Sequence, residues 1–254
     1  MAQESPVLVE TGPEIAVLTL NRPRVRNAVN LAMLEALERA LAELETDPPR
    51  AVILRASAPG FSAGADLKES REQPPEFAHT RVVTMHRVLG KLRRFPAPVI
   101  SAIDGVCAGL GCELAISGDL RLASPASRLG YPEPKVAVPS PAHHLVHLIG
   151  LSRAQDMLLT ARWVEAEEAA RIGLVTRVVD DVERAARALA AQVAELAPRA
   201  QRLSKENLAL STRAGLEAAV AHHIAGVSGA AYTADRREAL AAFAEKRPPR
   251  FSGA

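Results

Sequence analysis

The sequence predicts an α/β protein whose first two thirds alternate strands and helices and whose last third is almost wholly helical. Two short apolar runs, 51–56 (AVILRA) and 99–104 (VISAID), each lead into a glycine turn and a helix-like segment. Runs so short and so rich in Val and Ile are buried strands, not helices. From Asp181 onward the chain is Ala-rich, with apolar residues at helical spacing.

Taken in order, residues 7–10 and 15–20 read as strands joined through Thr11-Gly12-Pro13, a hairpin. RPRVRN at 22–27 is a basic loop. Asn30 is placed to cap a helix over 31–45, where Leu31, Leu34, Leu37, Leu41 and Leu44 share one face. Asp47-Pro48-Pro49 stops it. FSAGADLKE at 61–69 is a turn leading into a helix start or loop. Residues 70–80 read as irregular and mobile, and 81–95 as a helix that ends before Pro96 and Pro98. Segments 120–123 and 174–179 supply further strands. The helical remainder is expected to break at Pro198 and between Gly226 and Gly229, and to close with a helix over 235–245 and the tail KRPPRFSGA.

The 254 residues are 48% apolar and only 3% aromatic, so Ala, Leu and Val must fill the core. Thirty-one basic against 29 acidic side chains leave a net charge of +2. That balance argues against nucleic acid or an anionic membrane as partner, because such binding rests on phosphate neutralisation. Cys107 and Cys112 are the only cysteines. They make no disulfide framework, and CxxxxC lacks the further ligands of a zinc site, so both read as small buried apolar groups. No apolar run approaches the ~18 residues of a membrane span, and the first twenty residues lack a signal peptide's pattern. The expectation is a cytoplasmic protein.

The informative stretch is 105–134, GVCAGLGCELAISGDLRLASPASRLGYPEP. It carries Glu113 among apolar neighbours and Glu133 between two prolines. A buried carboxylate costs several kcal/mol unless paired or neutralised, so Glu113 demands a reason, and catalysis supplies one. The turns at 63–65 and 109–111 each present backbone N–H groups free of side-chain obstruction. Gly109-Leu110-Gly111 lacks the third glycine of a dinucleotide-binding loop. Two such turns can instead converge on one oxygen as an oxyanion hole. Asp104 and Asp119 read as turn or cap residues.

FSAGADLKE at 61–69, GVCAGLGCELAISGDLRLAS at 105–124, GYPEPKVAVPS at 130–140 and LTARWVEAEEAARIGLV at 159–175 together resemble the enoyl-CoA hydratase (crotonase) superfamily. LNRPRVRNAV at 20–29 and AFAEKRPPRF at 242–251 fit as well, so the resemblance spans essentially the whole chain. It implies a crotonase-like spiral of ββα turns over 1–195 and a helical trimerisation region over 196–254. The oligomer expected is a homotrimer or homohexamer.

The resemblance also implies site roles. The oxyanion donors are the N–H groups of Ala65 and Leu110, where leucine replaces the family's common glycine. Glu113 activates water and Glu133 protonates C2 in a hydration of trans-2-enoyl-CoA. Many isomerases of the superfamily keep one of these two acids, so both together favour hydration over an isomerase, hydrolase or decarboxylase outcome; a non-catalytic or RNA-binding scaffold is the remaining reading. Coenzyme A arrives with the substrate, and no separate cofactor or metal is implied. Its phosphates and adenine are expected near Arg22, Arg24, Arg26, Asp66, Leu67 and Lys68, with Phe243 and Lys246 reaching it across a subunit boundary. A solvated basic loop and an ordinary amphipathic helix end are the structural alternatives. The family's glycine-rich segment after the second glutamate is shorter here, and 138–144 ends on His143 and His144, read as facing solvent or a neighbouring subunit. His222 and His223 read as surface or interface residues.

Overall fold

The computed structural model describes residues 5–140 and 143–253. The chain opens on an antiparallel hairpin, β1 (Val7–Thr11) and β2 (Ile15–Leu20), with Val7 opposite Leu20. Helix α1 (Leu31–Thr46) follows, its first turn capped by the Asn30 side chain, which accepts from Met33 N–H. Then come β3 (Ala51–Ala56), α2 (Leu67–Glu72), α3 (Phe77–Arg94), β4 (Val99–Ile103), β5 (Val106–Ala108) and α4 (Leu110–Ile116). The next coil runs β6 (Leu120–Ala123), β7 (Arg128–Gly130), α5 (Leu145–Ile149), α6 (Leu151–Thr160), β8 (Trp163–Glu165), α7 (Ala166–Arg171) and β9 (Arg177–Val178). Helices α8 (Val182–Ala194), α9 (Pro198–Arg213), α10 (Leu216–Ala230) and α11 (Ala234–Glu245) complete it.

Two sheets alternate along the chain, which makes the core a spiral. The larger has the order β1-β2-β3-β4-β6-β9, parallel from β2 onward; the smaller has the order β5-β7-β8. The inner strands β2, β3, β4 and β6 are covered on both faces, which is why they read as apolar runs. Leu18 and Leu54 pack with Leu34, Leu37 and Leu89 of α1 and α3. Their neighbours Val17 and Ile53 point the other way and join Ile100, Leu122, Ala186 and Leu189 under α8. Each such side chain contributes about 1.5–3 kcal/mol by leaving water.

The structure departs from the sequence expectations in four places. Residues 70–80 are largely helical: Asp66 caps α2, and α3 begins at Phe77, where the carbonyls of Pro74 and Pro75 accept the N–H groups of Phe77 and Ala78. Gly226 and Gly229 lie inside α10, not at a break. They face Leu203 and Arg199 of α9, so the missing side chains allow the two helices to approach. The break falls at Gly215, whose φ is +88°. The 174–179 strand shrinks to Arg177–Val178, because Leu174 and Val175 N–H groups turn back to the Ala169 carbonyl. Finally, β5, β7 and β8 are three residues long, too short to show periodicity in the sequence.

Asp119 does more than cap a turn. It accepts from Val99 N–H and pairs with Lys205 at 2.6 Å, fastening α9 to the parallel sheet.

Candidate active site

Three segments are laced together by main-chain bonds. Ser62 N–H donates to the Val106 carbonyl and Ala108 N–H to the Ser62 carbonyl, drawing the 61–65 turn against β5. Gly109 N–H donates to the Gly130 carbonyl, which brings in the segment leading to Glu133. The contact is close: a Cβ on Gly64 would lie 2.9 Å from the Ala108 carbonyl oxygen and 3.7 Å from Leu110 N. Gly64 sits at φ +90°, so only glycine meets both demands.

This arrangement isolates two donors. Gly64 carbonyl accepts from Val29 N–H, and Asp66 N–H donates to the Val29 carbonyl. Both peptides flanking Ala65 are thus engaged, while the Ala65 N–H has no acceptor among the described residues. Leu110 is the first residue of α4, where a helix leaves its N–H unpaired. The two free amides therefore come from adjoining turns, as a single oxyanion acceptor requires.

Glu113 follows Leu110 by one turn of α4 and is completely buried. Its Oε1 accepts from the Tyr131 hydroxyl at 2.8 Å; its Oε2 is buried and accepts nothing among the described residues. Burial pushes the carboxyl up to about 7, opposed by the Tyr131 hydrogen bond and the Arg93 charge and assisted by Glu133. Glu133 starts a short 3-10 turn after Pro132 and is half-buried, which raises its pKa as well. Ser140 Oγ donates to its Oε2 at 3.3 Å. A Cβ on Gly109 would stand 2.3 Å from Glu133 Oε1, so this carboxylate rests against the glycine that opens α4. The two acids thus share one region, each shifted towards its neutral form.

The remaining predicted residues divide. Arg22 is drawn inward to Asp66 (2.8 Å), whose other oxygen caps α2 through Lys68 and Glu69 N–H. Although burial opposes it, the Arg22 hydrogen bond and these N–H donors hold Asp66 below the usual carboxylate range. Arg24, Arg26, Leu67 and Lys68 are exposed around this clamp. Phe243 and Lys246 are exposed at the end of α11. His143 is exposed and stacks obliquely on His86 at 5.3 Å, whereas His144 is half-buried and pushed down to about 4 by burial and then by Arg93. Pro141 and Ala142 of the same segment lie outside the described residues. Sequence reasoning missed Tyr131 and Arg93; the first stood in the quoted YPEP motif, two residues before Glu133, without a role.

Paired main-chain donors beside two neutral-leaning carboxylates, on a two-sheet ββα spiral, define an acid–base enzyme of the crotonase fold. Comparison with known proteins agrees. The chain belongs to the enoyl-CoA hydratase/isomerase family, whose sequence profile matches residues 10–254. It is 36% identical over 252 residues to a probable enoyl-CoA hydratase of Mycobacterium bovis, covering 97% of each chain. It is 34% identical over 248 residues to a short-chain-enoyl-CoA hydratase of Clostridium acetobutylicum, covering 95% of each. The 1.8 Å crystal structure of an enoyl-CoA hydratase from Bacillus anthracis superposes with a TM-score of 0.94 at 33% identity, over 98% of this chain and 100% of that one.

Proposed function

We propose that the protein is an enoyl-CoA hydratase, adding water reversibly and syn across trans-2-enoyl-CoA to give 3-hydroxyacyl-CoA. The observation that carries this is the pair Glu113 and Glu133, both pushed towards neutrality around the mouth of α4. One proton shared between them suits the reaction, since the acids need opposite ionisation states at the same moment. Ionised Glu113 takes a proton from water as its oxygen bonds to C3. The C2=C3 π electrons move to the thioester oxygen, which the Ala65 and Leu110 N–H groups receive. Protonated Glu133 then delivers its proton to C2. One water is consumed, the proton gained by Glu113 balances the one given up by Glu133, and no electrons are gained or lost, so the reaction calls for no redox cofactor. Each oxyanion donor is worth about 3–4 kcal/mol in such sites.

Coenzyme A phosphates are assigned to exposed Arg24 and Arg26, with Arg22 and Asp66 supporting the loop rather than binding directly. Leu67 and Lys68 flank the pantetheine. The region 196–254 is taken as the trimerisation surface of a homotrimer or homohexamer. Leu216, Ile224, Tyr232 and Phe243 support this, being 61–86% exposed on a single chain. Phe243 and Lys246 would then reach a neighbour's coenzyme A. Among the described residues no helix is long and apolar enough to cross a membrane.

Assay of crotonyl-CoA hydration in Glu113→Gln and Glu133→Gln tests the mechanism. Each is expected to lose about 10²–10⁴-fold in kcat. Full activity in either variant rejects it.

A further inference from the structure

At the end of α4 away from the free amides lies a partly open cavity of about 1000 Å³, between α3, the 143–148 segment and α9. Its charge is one-sided. Arg93, Arg94, Arg121, Lys205 and Arg213 line it against the single carboxylate of Asp119. Asp119 is taken by Lys205, and Arg121 directs its donors to the Leu174 and Gly118 carbonyls. Arg93, Arg94 and Arg213 are left with no ion pair among the described residues. Arg93 is half-buried, and its one hydrogen bond goes to the neutral Ser117 hydroxyl at 3.1 Å. Burial disfavours its cationic form, the Glu113 carboxylate favours it, and the Arg213 and Arg94 charges disfavour it again. A desolvated guanidinium facing other guanidiniums is costly unless an anion completes the site.

Arg93 is also tied to the chemistry. Ser117 follows Glu113 by four residues, so the two share a face of α4 about 6 Å apart along the axis, with Leu110 about 10 Å from Ser117. The Arg93 charge is felt at Glu113, where it favours the carboxylate. Seen from the Leu110 N–H, Arg93 therefore lies beyond Glu113, at the far end of α4.

Resting on the hydratase reading, we propose that this cavity receives the free carboxylate at the far end of the acyl chain. The preferred substrate is then the coenzyme A monothioester of a short unsaturated dicarboxylic acid. The Arg93 fork and the Arg213 charge bind that carboxylate, and neutral His144 adds a hydrogen-bonding wall without a further charge to repel.

The test compares hydration of glutaconyl-CoA with that of crotonyl-CoA and the longer neutral trans-2-hexenoyl-CoA. The diacid thioester is expected to have a kcat/KM at least ~tenfold above both. In Arg93→Gln and in Arg213→Gln that advantage should fall towards parity, chiefly through KM. Arg213 is exposed and its side chain makes no hydrogen bond or ion pair among the described residues, so its variant keeps the test intact should Arg93→Gln fold poorly. Calorimetric binding of glutaryl-CoA against butyryl-CoA reads the pocket without turnover. Tighter binding of glutaryl-CoA, lost in Arg213→Gln, supports the inference even if no thioester is hydrated, a result that would remove the hydratase reading alone. Equal affinities, or crotonyl-CoA and hexenoyl-CoA hydrated as well as the diacid, overturn it and leave hydration standing.

Discussion

The Tyr131 hydroxyl donates to Glu113 Oε1 at 2.8 Å, and both side chains are wholly withdrawn from water. The bond immobilises one carboxylate oxygen and leaves Oε2 buried without a partner among the described residues. It also favours the ionised form, against the burial that opposes it.

Tyr131→Phe removes that donor and little else. The acidic limb of the kcat/KM–pH profile, expected near pH 7 in the native enzyme, should move upward by about one unit. A purely structural tyrosine would lower Tm and leave the limb in place.

Glu113 should also make stability depend on pH. Its folded pKa of about 7 lies above its ordinary 4.5, so the protonated form stabilises the fold at low pH. That contribution disappears as pH rises through 7, where ionisation in the folded state costs about 3 kcal/mol relative to the unfolded chain. Between about pH 5 and about pH 8.5, native protein should lose ~2–3 kcal/mol more than Glu113→Gln in urea unfolding. Equal losses would show that Glu113 is not desolvated.

Gly109→Ala tests the seat of Glu133. The added methyl would meet Oε1 at 2.3 Å, and φ at Gly109 is +47°. The carboxylate must shift, and displacement on this scale costs about 100-fold in kcat. The left-handed backbone adds ~1–3 kcal/mol of strain, visible as a lower Tm. Unchanged kcat would place Glu133 outside the reacting geometry.

The Asp119–Lys205 pair predicts a non-additive response. Lys205→Met leaves a half-buried carboxylate without its cation and should destabilise by about 1–3 kcal/mol. Adding Asp119→Asn should recover most of that, since an amide oxygen still accepts from Val99 N–H. Additive losses in chemical denaturation would show that the two do not interact.

Much of this was legible before folding was considered. Asn30 as a cap, the leucine stripe of α1, the buried strands and both glutamates are encoded within a few residues, by turn chemistry and by apolar runs. The glutamates were readable because an acid among Gly, Cys, Leu and Ala, or between prolines, conflicts with its surroundings. Tyr131 was not, because its partner lies 18 residues away and only the pairing of β5 with β7 brings them together. Nor was the helix spanning Gly226 and Gly229, where two residues that weaken a lone helix instead allow α9 to approach.

The amino-acid order alone determined the hairpin, α1, the buried strands β3, β4 and β6, the two acids and the two turns, because each depends on local stereochemistry and on the cost of burying charge. Only the tertiary structure decided which oxygen of Glu113 is left free, that Arg22 serves Asp66, and that unpaired guanidinium groups collect beyond the end of α4. Those outcomes depend on distances between segments remote in the chain, and such distances exist only once the two sheets have closed on each other.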